Sequence, residues 1–325
     1  MAYTTIDKPS DYFNTVLYTG NGTAIGSGGQ AVTGVGFQPD WTWIKNRSDD
    51  QNHSLTDSVR GVTKTIRSDV QTEQTTDSEG QTAFGSDGFT VGSEAKINGS
   101  GNNIVSWNWL AGTSFTNDAS STGIGTIDSA GSFNNDSGFS IVSYTATGST
   151  GTIKHGLNTT PSMILFKNLN RSSSNAQSWG VYHKALGNTK FLQLDTNGAE
   201  NQTSPTSLFF NDTSPTSSVF SVGTNNRLNA DAGDTYIAYC FAEKKGYSKF
   251  GSYTGNGNAN GTFIYTGFKP AWVMAKNTDA TKSWFMYDNK RDPFNPTVEK
   301  LRADTSATEA TGTDKLIDMY SNGFK

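Results

Sequence analysis

Pro39-Asp40-Trp41-Thr42-Trp43-Ile44-Lys45-Asn46 is the first of three octapeptides built on one plan. It returns as Pro161-Ser162-Met163-Ile164-Leu165-Phe166-Lys167-Asn168 and as Pro270-Ala271-Trp272-Val273-Met274-Ala275-Lys276-Asn277. Each copy opens on a proline, which loses nothing at the start of a strand, and sets large apolar residues two apart on one face of that strand. A pattern this specific, repeated three times, makes the chain three copies of one module.

The repetition extends in both directions. Upstream, Val16-Leu17-Tyr18-Thr19-Gly20, Ile141-Val142-Ser143-Tyr144-Thr145 and Phe250-Gly251-Ser252-Tyr253-Thr254 each end in a tyrosine and a turn, and Gly36-Phe37, Gly156-Leu157 and Gly267-Phe268 lead into the octapeptide. Downstream, Leu55-Thr56-Asp57 matches Val181-Tyr182-His183 and Met286-Tyr287-Asp288, and Ile66-Arg67-Ser68-Asp69 matches Leu192-Gln193-Leu194-Asp195 and Leu301-Arg302-Ala303-Asp304. A last shared block holds Gly88-Phe89, Val219-Phe220 and Gly323-Phe324. Modules one and two then close with apolar runs, Ile104 to Gly112 and Tyr236 to Glu243. Module three has no counterpart to these, so its sheet edge is expected to stand open, to be covered by a strand from a neighbouring subunit or by further residues of its own chain.

Short β-branched and aromatic runs, broken roughly every eight to twelve residues by Gly, Asn, Asp or Ser, predict an all-β protein of three tandem antiparallel β-sandwich modules, jelly-roll or lectin-like in style, the third lacking its last strand. The expected division is an N-terminal arm at 1–9, module one at 10–112, a polar linker at 113–137, module two at 138–243 and an incomplete module three at 247–325. Each module is long enough to bury its own core. The linker, with room for one edge strand, allows module one to pivot, whereas the short 244–247 junction ties modules two and three together.

Charged residues make up 17% of the chain, the net charge is −4 and no basic stripe exists, which argues against nucleic acid as a partner. The one cysteine, Cys240, lies in an apolar run and reads as a buried thiol. No run reaches the ~18 apolar residues that cross a bilayer, so no membrane insertion is expected.

Residues kept in all three copies are read as folding residues, since three modules rarely share one active site. The octapeptide lysines read as strand-end residues with solvated heads. The position of Asp57, His183 and Asp288 changes chemical type, which defeats a shared carboxylate mechanism. Asp69, Asp195 and Asp304 read as turn caps, because no calcium-type Asp-x-Asp-x-Asp loop appears. Three histidines without a paired spacing do not make a zinc site, and no Gly-x-Ser-x-Gly elbow supports a hydrolase. The expectation is no enzyme, no catalytic residues, no cofactor and no metal.

Recognition is sought instead where the copies differ. Trp179 and Trp284 align with His53, and a place that accepts either residue reads as partly exposed, able to contact a ligand or cover a sandwich edge. The loops supply Arg47, Asp49, Asn170, Arg171, Asn175 and Asp279 as further candidate ligand contacts.

The run from Asp11 to Gly22, with Gly36 to Ser48 and Asp57-Ser58-Val59-Arg60-Gly61, resembles the repeat of β-rich virion proteins of marine tailed phages, especially those infecting cyanobacteria. The resemblance implies a structural protein of the particle, a tail fibre, spike or surface appendage, folded in the host cytoplasm and carried on the virion. Its implied partners are other virion proteins, copies of itself, with a trimer favoured, and host-surface glycan. The alternatives are a capsid decoration or tail-assembly protein with no receptor, and, more remotely, a polysaccharide depolymerase.

Overall fold

The computed structural model describes residues 4–171 and 177–325. Module one contributes β1 (Phe13–Thr19), β2 (Gln30–Thr33), β3 (Trp41–Asn46), β4 (Ser54–Asp57), β5 (Lys64–Thr65), β6 (Thr75–Thr76), β7 (Gln81–Gly85), β8 (Gly88–Val91) and β9 (Asn103–Trp109). After β10 (Thr113–Asn117) and β11 (Ser129–Asn134), module two contributes β12 (Phe139–Thr145), β13 (Gly151–Lys154), β14 (Pro161–Asn168), β15 (Gly180–His183), β16 (Val219–Val222) and β17 (Thr235–Ala242). Module three contributes β18 (Ile264–Tyr265), β19 (Trp272–Ala275), β20 (Phe285–Asp288), β21 (Leu301–Arg302), β22 (Met319–Tyr320) and β23 (Gly323–Phe324). The protein is all-β, and every strand pair in its ladders is antiparallel.

Each octapeptide is a strand, β3, β14 or β19, and the glycine ahead of it explains why that residue recurs. Gly36, Gly156 and Gly267 have φ of 87°, 81° and 83°, a left-handed backbone that side chains resist. The main sheets run β1-β9-β3-β4 in module one, β12-β17-β14-β15 within the larger sheet of module two and β19-β20-β21 in module three. A small second sheet covers the outer face of each, with order β2-β8-β7, β13-β16 and β18-β23-β22. Between the two layers lie separate outer cores, holding Ile44, Phe89 and Ile104 in module one and Phe166, Phe220 and Tyr236 in module two.

The other face of every main sheet points inward, and there the independence of the modules ends. One cluster joins Trp41, Trp43, Trp107 and Trp109 to Ile141, Leu165, Trp179 and Tyr239 and to Trp284, Met286 and Leu301, with Trp272 packed at its edge. All seven tryptophans therefore meet in one central core. A buried aromatic removes about 150–250 Å² from water, about 4–6 kcal/mol gross each at ~25 cal/mol/Å², so this shared core holds the modules together. Each module thus keeps an outer core of its own and adds its inner face to a core that all three share. Strands β3 and β14 are buried along their whole length because the central core takes one face and the outer core the other.

The segment expected to be a linker is also structured. β10 and β11 form a hairpin on the edge of module two, giving the sheet order β10-β11-β12-β17-β14-β15. Phe115 and Phe133 pack together at 5.9 Å and lean on the outer core of module two. The small residues that suggested a linker are what this ladder needs: a Cβ on Gly131 would sit 2.0 Å from the Ile141 carbonyl oxygen. With the hairpin in that sheet and Trp41 stacked on Tyr239 at 4.3 Å, module one has no hinge on which to pivot.

Backbone bonds between modules repeat around the ring. The Gln74 amide donates to the Leu169 carbonyl at 3.2 Å, the Glu200 amide to Thr278 at 2.7 Å and the Glu309 amide to Arg47 at 3.0 Å. Module one thus bonds to two, two to three and three to one, through residues that occupy the same place in each repeat. The three modules form a closed ring with pseudo-three-fold symmetry, built from one chain.

Candidate functional site

The recurring polar residues are consumed by this ring. At the modules' inner junctions Trp179 Nε1 donates to the Arg67 carbonyl at 2.8 Å, and Trp284 Nε1 donates to the Gln193 carbonyl at 2.9 Å. His53 Nε2 lies 2.9 Å from the Arg302 carbonyl and closes the set. Arg67, Gln193 and Arg302 are equivalent residues, so each module hangs one ring N–H on its neighbour. Trp179 and Trp284 are 0% and 4% exposed, and the expectation that they contact a ligand or cover an exposed edge is overturned. The position accepts His or Trp because the indole can come from either of two strands. Module one carries Trp43 with His53, module two Leu165 with Trp179 and module three Met274 with Trp284. Trp43 Nε1 donates to His53 Nδ1 at 2.8 Å, which fixes the proton of neutral His53 on Nε2. Burial first, then the charge on Lys45, lowers the His53 pKa to about 3.

Asp69, Asp195 and Asp304 each accept the amide N–H of the residue that starts this contact: His53 at 3.3 Å, Trp179 at 3.0 Å and Trp284 at 3.0 Å. Burial raises all three carboxyl pKa values, partly offset by those bonds. They hold backbone in place, as a cap does.

Two of the octapeptide lysines, Lys45 and Lys167, are not strand-end cations with solvated heads, whereas Lys276 stays half-exposed. Lys45 and Lys167 are 0% exposed. Lys45 Nζ donates to the Asn46 carbonyl at 2.6 Å, while Lys167 Nζ reaches Gln71 of module one at 2.9 Å and Gln177 at 2.8 Å. Lys276 reaches the equivalent Asn197 of module two at 3.3 Å. Burial pulls the pKa of Lys45 and Lys167 down to about 8, against the opposing pull of Asp69 and Asp195 respectively. Backbone carbonyls replace the water these ammonium groups would otherwise keep.

The variable position is explained by the residue three places on in its own module. Asp57 is ion-paired with Arg60 at 2.5 Å and accepts Tyr239 Oη at 2.7 Å. Asp288 is ion-paired with Arg291 at 2.6 Å and accepts Trp107 Nε1 at 3.0 Å. Module two has His183 and Leu186 at the same two places, with no arginine to neutralise and therefore no carboxylate.

Of the loop candidates, Arg47 is bound inward, to Glu309 at 2.6 Å and Glu299 at 2.9 Å of module three. Arg171 pairs with Asp234 at 2.7 Å and with Asp231. Asn175 lies outside the described residues. Asp49, Asn170 and Asp279 are exposed. The octapeptide asparagines shape their loops, since Asn46, Asn168 and Asn277 side-chain oxygens accept the amides of Asp49, Asn170 and Asp279. Symmetry sets these three loops on one rim of the ring.

Beside the second loop a cavity of about 600 Å³ opens between the β10–β11 hairpin side and module two. Its walls carry the hydroxyls of Thr126, Ser129, Ser143, Thr145 and Thr235, while Tyr144 and Tyr236, stacked at 5.3 Å and 10°, are buried in the outer core. Asn170 Oδ1 accepts the Thr235 amide and hydroxyl at 2.6 and 2.7 Å, so the loop and the cavity are one surface. The sequence reading missed this cavity because it assigned the hairpin to a linker; alternating hydroxyls at Ser143 and Thr145 were the available signal. Among the described residues no group of three or more His, Cys, Asp or Glu could hold a metal ion, and no helix is long and apolar enough to cross a membrane. The arrangement can offer hydrogen bonds to a polyhydroxylated ligand.

No curated protein and no solved structure matches this chain. A family described as a domain of unknown function, DUF7483, matches residues 8–325. Three repeats closed into one ring are thus spanned as a single unit by that match, and the chain belongs to the DUF7483 family.

Proposed function

We propose that this protein is a non-enzymatic structural and display module, of the kind carried on the tail or surface of a tailed-phage virion, that presents a hydroxyl-lined groove to host-surface glycan. The observation that carries this reading is the use made of the repeated polar residues. Lysines and aspartates that recur in all three copies, with the His53, Trp179 and Trp284 rings, bond to backbone within and between modules, which makes a stiff ring. Diversity is left to the rim loops and to the groove at Thr126–Ala130 and Ser143–Thr147. Threonine and serine hydroxyls suit sugar hydroxyls, and several copies on one particle would add weak contacts through avidity.

The test uses the whole chain. Glycan-array binding is expected, and Thr145→Trp, at an exposed position over the groove, is expected to lower it at least about tenfold, ~1.4 kcal/mol, without changing thermal stability. Mass spectrometry of purified particles is expected to find the protein. Particle incorporation without glycan binding would favour a decoration or tail-assembly role, and release of reducing ends from host polysaccharide would overturn the non-enzymatic reading.

A further inference from the structure

A serine or threonine hydroxyl has one proton to give and two lone pairs to offer, so where each proton is spent decides what a hydroxyl-lined groove can hold. In the cavity beside the Asn170 loop most of them are spent on the protein. Ser129 Oγ donates to the Lys154 carbonyl at 3.1 Å and Ser143 Oγ to the Ala130 carbonyl at 3.2 Å. Thr147 Oγ1 donates to the Ser149 carbonyl at 3.1 Å, and Thr235 Oγ1 to Asn170 Oδ1 at 2.7 Å. A carbonyl oxygen can only accept, so these hydroxyls have no proton left for a ligand. The Tyr144 and Tyr236 hydroxyls are likewise committed, to the carbonyls of Leu228 and Asn226. Of the lining hydroxyls, only Thr126, which accepts the Thr152 amide at 2.9 Å, and the exposed Thr145 are not so committed among the described residues.

The lining backbone is spent in the same way. The Thr126 and Ile127 amides donate to the Thr152 carbonyl at 2.8 and 3.1 Å, the Ala146 amide to the Asp234 carbonyl at 2.8 Å, and the Thr147 amide to Asn229 Oδ1 at 2.8 Å. Asn170 Oδ1 holds the Thr235 amide, and Ser143 and Tyr144 lie in β12, which is paired on both edges. Among the described residues no lysine, arginine or histidine lines the cavity, and its one charged side chain is Asp128. That carboxylate is exposed; its Oδ1 accepts the Ala119 amide at 2.8 Å, and no described group engages its other oxygen. The neighbouring cations are occupied elsewhere. Arg171 is paired with Asp234 and Asp231, and Lys154 sets its ammonium over the Phe115 ring at 5.8 Å. The groove is therefore rich in acceptors, poor in donors and negative.

We infer that this groove selects glycans by charge: it takes sugars that donate hydrogen bonds, amine-bearing ones above neutral ones, and rejects those whose outer groups are carboxylate, phosphate or sulfate. The inference rests on the reading of the groove as a glycan site. An acidic sugar would set acceptors against acceptors and a second negative charge beside Asp128, with no donor to replace the water its anion gives up. A protonated amine brings three donors and the charge opposite to that of Asp128.

The probes are tetrasaccharides of glucosamine, N-acetylglucosamine and galacturonate, titrated into the full chain. The solution is held at about pH 6, where amines and carboxylates are both charged, and at about 150 mM salt, which screens the net charge of −4. The glucosamine oligomer is expected to bind at least about tenfold tighter than the galacturonate oligomer, with the N-acetylated one between them. Asp128→Asn keeps the oxygen that holds the Ala119 amide and is expected to narrow that ratio at least about threefold. Thr145→Trp is expected to weaken glucosamine binding, which assigns the contact to the groove. Galacturonate bound as tightly as glucosamine and still weakened by Thr145→Trp, or a ratio that Asp128→Asn leaves as it was, would overturn the charge preference while the glycan reading stands. Glucosamine binding that Thr145→Trp does not touch would be attraction to the acidic surface at large and would overturn it too. Failure of all the oligomers to bind would overturn the glycan reading together with the preference.

Discussion

At the scale of single residues, the ring is held by exchanges that preserve volume and hydrogen bonding. Trp43 with His53 does the work that Leu165 does with Trp179. His53→Trp alone sets two indoles in a space built for one and is expected to cost about 1–3 kcal/mol, while Trp43→Leu with His53→Trp should lie within about 1.5 kcal/mol of the parent by urea unfolding at pH 7. The pH dependence follows from the same residue. The folded pKa of His53, about 3, lies below the unfolded value near 6.5. As pH falls, the unfolded chain therefore takes up the proton first. Stability is full above about pH 6.5 and is lost toward pH 3, by up to ~1.4 kcal/mol per pH unit. The double variant should lose stability less steeply over that window. His155, lowered to about 4, and His183, also lowered by burial, remain in both proteins and supply the residual slope. Equal loss in single and double variants would contradict the exchange.

At the scale of elements, each closing strand reaches past its own module. β17 delivers Tyr239 to the Asp57–Arg60 pair that follows β4, and β9 delivers Trp107 to Asp288–Arg291 after β20. Breaking a buried pair strands a charge at about 3–5 kcal/mol. Asp57→His and Arg60→Leu should therefore each be severe, and the two together, which copy His183 and Leu186, should cost at least about 1 kcal/mol less than the sum of the singles. A double-mutant cycle that adds without coupling would refute this. The octapeptide strands, the Gly-entered turns and the missing partner of β19 were legible in the sequence because a two-residue period and a fixed block order leave their mark on composition. The burial of Lys45 and Lys167 was not, since a lysine next to backbone carbonyls reads like any strand-end lysine. Trp179 and Trp284 misled for a related reason: a Trp aligned with a His signals exposure only if nothing else in the repeat has changed. The paired differences Trp43/Leu165/Met274 and Arg60/Leu186/Arg291 held the correct answer.

At the scale of the molecule, the repeated residues are joints between modules. Glu309 of module three returns to Arg47 of module one by backbone and by side chain, which closes the ring and rules out three beads on a flexible chain. A closed ring with one central core gives a candidate display module its stiffness, and the proposed glycan groove lies on its rim. Small-angle X-ray scattering on the dilute monomer tests the closure most directly. For 325 residues sharing one core the radius of gyration should be about 20 Å. Separate modules of roughly 13 Å each, strung in line, would give more than about 28 Å, and a value in that range would contradict the ring.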